Sequence, residues 1–403
     1  MNRRDALKQF AAISAALPFA NIARAKDPFV VLNPAQKTDD PSRIEILEFF
    51  HYGCPHCRDF HPLITAWKKK LPADVAFRAV PAVWNNAQLS GLARLFYAVY
   101  GDAYPIDTYY IPERLVEENE RGNIRSVVAR TSGGDVVSHT ALYRSSSPNP
   151  NLYEAGLSLT LPSYRSTRAF LGLIPLANAL VGHDGIDGYF AENVCNHLVS
   201  QKITWNAKAQ ETALEPALMP ASTYEIEQNA DGRVGCIIFF RIARDCRRTL
   251  YIPSSYREEL AYLLDGLNLD RELVEADVFP AAGGGKLEVR RFDFAGVARC
   301  TITSPGTGLA EQLADLEREL RTDGYAQIQI FVNLGEQWSG SVVEILRNMG
   351  YYLGGLLPVW FGSDGLLMQK HFVDPGFDSL HIYSKRGRYI TDMIRHDWER
   401  SRK

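Results

Sequence analysis

An apolar strand that runs straight into a cysteine pair, and from there into a helix, leaves a chain few ways to fold. Ile44-Glu45-Ile46-Leu47-Glu48-Phe49-Phe50 alternates and then turns fully apolar, the pattern of a buried strand. Cys54-Pro55-His56-Cys57 follows at once, and a helical spacing runs on through Phe60, Leu63, Ile64 and Trp67 to Lys68-Lys69-Lys70, cations suited to a helix C-terminus. Cys54 then sits where unpaired backbone N–H groups and the positive end of the helix dipole stabilise a thiolate. Cys57, three residues on, is placed to close or resolve a disulfide with it. Pro55 suits a first turn that needs no N–H. His56 puts a donor or a positive charge beside the thiolate, which stabilises the reduced form and makes the disulfide a stronger oxidant. Two plainer readings of the pair stand beside this one. His51, Cys54, Cys57 and His61 have metal-like spacing, although a structural zinc site closes two such pairs and the sequence has no second C-x-x-C. The pair also fits two ordinary core thiols.

The run Glu45-Ile46-Leu47-Glu48-Phe49-Phe50-His51-Tyr52-Gly53-Cys54-Pro55-His56-Cys57-Arg58-Asp59-Phe60 closely resembles the active-site strand and helix of DsbA-type thiol:disulfide oxidoreductases. The likeness continues through Lys70–Phe77 and Val80-Pro81-Ala82-Val83-Trp84 to about Tyr100. It implies a thioredoxin-like fold that oxidises exported proteins through a redox-active Cys54–Cys57 disulfide and is re-oxidised by a membrane partner, with Cys54 as the attacking sulfur. The family's second half, which holds a cis-proline loop beside the dithiol, has no counterpart at the expected place. Leu357-Pro358-Val359-Trp360-Phe361 is similar only on the surface. The redox unit is therefore expected to be partial, over residues 26–100.

The residues before it read as an export signal. Arg3-Arg4, a mildly apolar stretch from Phe10 to Ala23 and Ala23-Arg24-Ala25 form a basic, apolar and A-x-A series of the twin-arginine kind, cleaved after Ala25. No other stretch has 18 consecutive apolar residues, so no membrane span is expected in the mature chain. With 44 Lys+Arg against 47 Asp+Glu the chain has a formal charge of −3 and no basic block, which leaves no footprint for nucleic acid. Its 403 residues give room for two or three domains.

From Tyr104 the character changes. A Tyr/Pro-rich segment and a polar helix, Glu113–Glu120, lead to strands at Arg125–Arg130, Val136–Tyr143 and Leu152–Leu161, with a helix expected from near Arg165. The order strand–loop–helix–strand–helix occurs twice, around residues 152–210 and 297–350. These segments resemble the GNAT acyltransferase superfamily as two degenerate copies, expected over 105–228 and 229–403. The fold class expected for the whole chain is thus α/β (α+β): a partial thioredoxin-like unit followed by two GNAT-like mixed-sheet units. The resemblance implies a splayed sheet admitting acetyl-CoA or another acyl-CoA, with the pyrophosphate on backbone N–H groups of a strand-to-helix loop. In the first copy that loop aligns with Arg165, Ser166, Thr167 and Arg168, where Arg168 stands in for a glycine; in the second it aligns with Gly306, Thr307 and Gly308. The tyrosine often used there as general acid is absent from both copies. Glu154, on the strand before the first loop, is the candidate base for deprotonating an amine, or else a solvated strand residue. His139 and His197 read as structural histidines; Cys195, Cys236, Cys246 and Cys300 as core thiols.

The two resemblances imply different compartments, periplasmic for the dithiol and cytoplasmic for acyl-CoA. An exported natural fusion and a sequence join near residue 100 both account for this. Function therefore reads as thiol:disulfide exchange fused to a GNAT-like region, with an N-acyltransferase or an inactive coenzyme-binding remnant as the alternative.

Overall fold

The computed structural model describes residues 42–50, 55–81, 87–101, 104, 106–221, 232–276, 278 and 285–402. The expected signal, residues 1–25, lies outside them, as does Cys54. The chain divides into two compact units, Met1–Glu117 and Glu118–Lys403. Among the described residues no helix is long and apolar enough to cross a membrane.

In the first unit, β1 (Ile44–Phe50) leads to α1 (Pro55–Lys68), β2 (Val75–Pro81) and α2 (Ala87–Tyr100). β1 and β2 pair in parallel, Ile44 opposite Val75 and Phe50 opposite Pro81. Ile64 and Trp67, three apart on α1, are buried, and Trp67 meets Phe77 edge-on at 6.0 Å. The Tyr-rich segment assigned by sequence to the next unit belongs here instead. Tyr109 stacks on Phe96 of α2 at 4.9 Å, and Tyr104 meets the same ring at 5.4 Å. Phe96 itself is fully buried. The unit boundary consequently falls inside α3 (Pro112–Glu120) rather than at residue 100 or 105.

The second unit opens with antiparallel β3 (Ile124–Arg130), β4 (Val136–Tyr143) and β5 (Leu152–Thr160). Next come α4 (Leu173–Ala179), β6 (Gly188–Val194), α5 (Val199–Asn206), β7 (Gln210–Pro220) and β8 (Arg233–Ile242). A separate parallel pair, β9 (Arg248–Ile252) and β10 (Arg271–Glu275), brackets α6 (Arg257–Leu264). The chain continues as β11 (Lys286–Phe292), β12 (Val297–Ser304), α7 (Leu309–Thr322), β13 (Gln327–Asn333), α8 (Ser339–Asn348), β14 (Tyr352–Leu357), β15 (Gly365–His371) and α9 (Lys385–Ser401). The strand–helix–strand–helix order expected twice is present twice. Two expectations need correction. The helix foreseen from Arg165 is a single 3-10 turn at Pro162–Tyr164, with α4 starting only at Leu173, because Pro162 and the Ser/Thr side chains favour local turns. The division foreseen at 228/229 falls between β7 and β8, which are paired neighbours, so the first half extends to Ile242.

Eleven strands form one mixed sheet in the order β11-β12-β13-β15-β14-β7-β8-β6-β5-β4-β3. Read outward from the β14/β7 junction, the halves match: an antiparallel partner (β15 or β8), a second one (β13 or β6), then a parallel neighbour (β12 or β5). The junction pairs at one register position, Gly355 with Ala213. α9 packs across it against both β7 and β14. Arg386 near its start donates to Glu211 O at 2.9 Å, and Asp397 near its end accepts from Leu353 N at 2.7 Å. Ser384 caps the helix by accepting from Gly387 N at 2.7 Å.

Helices cover one face of the sheet. Leu309, Leu313 and Leu320 of α7, Val342, Val343 and Leu346 of α8, and Ile390 and Ile394 of α9 join Ile328, Ile330, Leu353 and Ile237 in one large core. The other face curls in on itself. β12 and β6 are six strands apart, about 29 Å in a flat sheet, yet Arg299 of β12 lies 3.1 Å from Glu192 of β6. Gly355 lets the halves join: φ is +130°, and a Cβ there would lie 2.3 Å from Thr212 O and 2.4 Å from Ala213 Cα. Gly355→Ala should therefore destabilise the chain by about 3 kcal/mol or more, read from urea midpoints. Gly362→Ala, also at positive φ but with open space around it, should cost about 1 kcal/mol. Equal costs would show that the junction is not tightly packed.

Candidate functional site

Three groups of residues come into question: the dithiol segment, the two strand-to-helix loops, and the concave face of the large sheet. In the dithiol segment, α1 begins within the cysteine motif, at Pro55, as the sequence implies. His56 is exposed and Cys57 half-buried in its first turn. Cys54 lies outside the described residues. Glu48, on the strand leading to the motif, went unremarked in the sequence. It is half-buried, and burial raises its pKa against the pull of His61 and Lys68. Arg78 of β2 ties to its neighbour Glu45 at 3.3 Å.

The two loops differ from each other. In the first, Arg165, Ser166, Thr167 and Arg168 are all exposed. Its amides are largely turned to the loop itself. Arg165 N donates to Pro162 O (3.3 Å), Thr167 N to Tyr164 O (3.0 Å) and Ala169 N to Thr167 Oγ1 (3.1 Å). No helix N-terminus stands behind them. In the second loop Gly308 is the N-cap of α7, a 14-residue helix, so its first-turn amides do point toward the loop. Gly306 is buried and Thr307 exposed. Gly285 packs so closely on this loop that a Cβ there would lie 2.6 Å from Gly306 N.

Glu154 is where the structure gathers chemistry. β5 and β6 pair in parallel only at Leu152↔Gly188, Tyr153↔Tyr189 and Glu154↔Phe190, then part. Glu154 marks the fork. Just past it β5 bulges, with Leu157 at φ +53° and a register shift against β4. His139 fixes the bulge, its Nδ1 2.7 Å from Leu157 O, and burial holds that histidine neutral with a pKa of about 4.

Side chains that alternate inward on the curled sheet form three layers. At one end lie Leu152, Phe190, Phe240, Phe331 and Trp360, with Phe331 stacked on Trp360 at 5.4 Å. At the other lie Leu218, Cys236, Ala295 and Val297. Between them is a polar layer. Arg299 Nη2 donates to Glu192 Oε1 (3.1 Å) and Glu215 Oε1 (3.0 Å), and its Nε donates to Gln329 Oε1 (2.9 Å). Gln329 Nε2 donates in turn to Glu215 Oε1 at 2.9 Å. Glu154 completes the set, with Tyr143 and Ser145 as hydrogen-bond partners.

Three carboxyl groups share one guanidinium in this layer, so they cannot all ionise as they would in water. Burial, and then the Glu192 charge, push Glu154 up to about 7; the same two causes push Glu215 up to about 8. Glu154 and Glu215 titrate together. Of these residues the sequence analysis singled out Glu154 alone. Glu192, Glu215, Gln329 and Arg299 sit on strands distant in sequence, and only the strand order brings them together. His371 is half-buried, and desolvation holds it neutral with a pKa of about 4, its ring between Tyr352 OH (2.7 Å) and Pro216 O (2.8 Å).

The remaining expectations divide. His197 is structural, Nδ1 accepting from Val199 N at 3.2 Å. Cys195, Cys236 and Cys300 are buried thiols whose pKa burial raises. Cys246 is exposed, correcting the expectation of a core thiol: it lies in a turn ahead of β9, where Arg248 and Arg271 use its carbonyl. Among the described residues no group of three or more His, Cys, Asp or Glu is placed to hold a metal ion.

No family model matches the chain. It is 38% identical over 91 residues to the thiol:disulfide interchange protein DsbA of Bordetella parapertussis, 22% of this chain and 43% of that protein. DsbA of Pseudomonas syringae pv. tomato is 42% identical over 82 residues, 19% of this chain and 38% of that protein. The chain thus spans less than half the length of these curated relatives. Among solved structures it is similar to the ribosomal-protein-S5-alanine acetyltransferase of Vibrio fischeri (10% identity, TM-score 0.31, 41% of this chain and 92% of that one). It is also similar to a GNAT superfamily phosphinothricin acetyltransferase of Sinorhizobium meliloti in complex with AcCoA (19% identity, TM-score 0.28, 39% of this chain and 83% of that one). The chain is mixed α/β, and part of it resembles DsbA.

The titration of the polar layer has a consequence for stability. The folded chain holds more protons than the unfolded one from the ordinary carboxyl value of 4.5 up to about 7 and 8, at Glu154 and Glu215. Stability from this source falls as pH rises through that window. His139 and His371, depressed from 6.5 to about 4, act oppositely but only below 6.5. The urea midpoint should thus decline between pH 6.5 and 8 and decline less in Glu215→Gln. A wild-type midpoint that rises over this interval would contradict the assignment.

Proposed function

We propose that the first unit is a thiol:disulfide exchange unit acting outside the cytoplasm through Cys54 and Cys57. The observation that carries this reading is the helix α1 opening at Pro55, within the sequence Cys54-Pro55-His56-Cys57, as the next described element after β1, in a chain that matches DsbA proteins at about 40% identity over part of its length. A substrate thiolate attacks the Cys54 sulfur of the Cys54–Cys57 disulfide, and Cys57 leaves as a thiolate. A second substrate thiol then attacks the substrate sulfur of the mixed disulfide, forming the substrate disulfide and releasing Cys54 as a thiolate. Reduced exported proteins are the substrates in this reading, and a membrane partner re-oxidises the dithiol. His56 tunes the pair. The basic and apolar lead ending at Ala25 supports export. Purified full-length protein should oxidise a reduced model peptide, and Cys54→Ser should abolish this; Cys57→Ser, offered a disulfide-bonded peptide, should accumulate the mixed disulfide formed when the Cys54 thiolate attacks it and one peptide thiolate leaves. A Cys54→Ser protein as active as wild type would defeat the reading.

A second reading concerns the large sheet, and the β5/β6 fork with Glu154 beside it favours it. In this reading the fork admits an acyl-CoA, with Arg165–Arg168 or Gly306–Gly308 at its phosphates, and Glu154 takes the proton from an attacking amine. A base with a pKa of about 7 is matched to neutral pH. Acetyl-CoA should raise the melting temperature, and Glu154→Gln should slow CoA release by about 100-fold or more while leaving peptide oxidation unchanged. No thermal shift at millimolar acetyl-CoA would reduce this half to a non-enzymatic remnant.

A further inference from the structure

The two half-sheets match in strand order but not in the charged side chains of their parallel pairs. Where β5 offers Glu154 to the concave face beside β6, β12 offers Arg299 beside β13. Arg299 makes its ion pairs across the midline, with Glu192 and Glu215 of the first half. We infer that Arg299 is a positioning residue for the site proposed above: contributed by the second half, it determines how far Glu154 and Glu215 are ionised and so sets the range in which Glu154 works. This inference rests on reading Glu154 as the base.

Geometry carries the argument. The guanidinium is planar and rigid, and here it addresses three acceptors at once, two carboxylates from Nη2 and the Gln329 amide from Nε. Gln329 passes a second donor to Glu215, so the layer is cross-braced rather than loosely paired. The Phe292 ring lies 5.7 Å from the guanidinium. The groups facing Glu154 and its neighbours come from every surrounding strand: Tyr143 and Ser145 at the end of β4, Glu192 on β6, Glu215 on β7, Cys236 on β8, Arg299 on β12 and Gln329 on β13. Arg299 is the only cation named among them. Glu215 is almost wholly buried and its Oε2 meets no hydrogen-bond partner. Without the guanidinium the layer would hold three acids and no cation, and a proton would be retained to far higher pH.

Infrared titration of the full-length protein reads this directly, through the carbonyl band of buried protonated carboxyl groups. In wild type the band should vanish with midpoints near 7 and 8. Arg299→Met should move loss of the band up by more than about one pH unit, a tenfold change in proton affinity. Arg299→Lys, which keeps the charge, should undo most of the shift. An unmoved band in Arg299→Met, or a band shifted as far in Arg299→Lys, would overturn the inference. If Arg299→Met fails to fold, Glu192→Gln is compared with the double variant Arg299→Met/Glu192→Gln, in which one charge of each sign is lost. The double variant should titrate at least about one unit higher; equal midpoints would overturn the inference. The acyltransferase reading is judged separately. A shifted band with no acetyl-CoA binding leaves Arg299 its electrostatic role and removes the base assignment. Acyl transfer with an unmoved band removes the role of Arg299 alone.

Discussion

The second unit depends on one arginine crossing the concave side of its own sheet. Strands six places apart in an eleven-stranded order come within hydrogen-bonding distance only if the sheet curls, and the Arg299 contacts with Glu192 and Glu215 are where the curl closes. Such a contact is expensive to bury. Two apolar layers, around Trp360 at one end and Cys236 at the other, flank the polar one and bury most of it. Their burial holds the sheet in the curvature that the ion pairs need.

That curvature needs the halves to be continuous. Gly355 permits close approach of β14 to β7, and α9 holds both strands from behind, with Arg386 at one end and Asp397 at the other. β7 accommodates the join by bulging. It shifts register twice against β8, and the freed carbonyls of Leu214, Pro216 and Ala217 accept from Gln369, His371 and Gln327. The matched halves have thus diverged in role. The first keeps an acid at its fork, and the second supplies the cation that neutralises it.

Much of the fold was legible in sequence because it is locally encoded. The strands at Arg125–Arg130, Val136–Tyr143 and Leu152–Leu161 and the repeated strand–loop–helix order were each read from neighbouring residues. β7 and β14 were not read. Glu-Thr-Ala-Leu-Glu-Pro breaks the alternation of a strand with buried acids and a proline, and Tyr-Leu-Gly-Gly-Leu-Leu has glycines where strand formers are expected. Those departures are the features that make the junction and the polar layer. The site divided along the same line. Cys54, Cys57 and Glu154 carry local signals. Glu192, Glu215 and Arg299 acquire meaning only from pairings more than 80 residues apart in sequence, such as 84 between Glu215 and Arg299. In the first loop Arg165 matches the leading residue of a phosphate loop and Arg168 stands where a glycine is usual, while Pro162 and Thr167 fold the segment into turns in place of the helix expected from near Arg165.

Native-state hydrogen exchange on the full-length chain tests most directly whether the two half-sheets form one body organised around that arginine. Amides of β6 and β8 and those of β13 and β15 should open with a common free energy, within about 1 kcal/mol, and Arg299→Met should lower both together. Halves whose amides open independently, by free energies more than about 2 kcal/mol apart, or an Arg299→Met effect confined to β12, would contradict it.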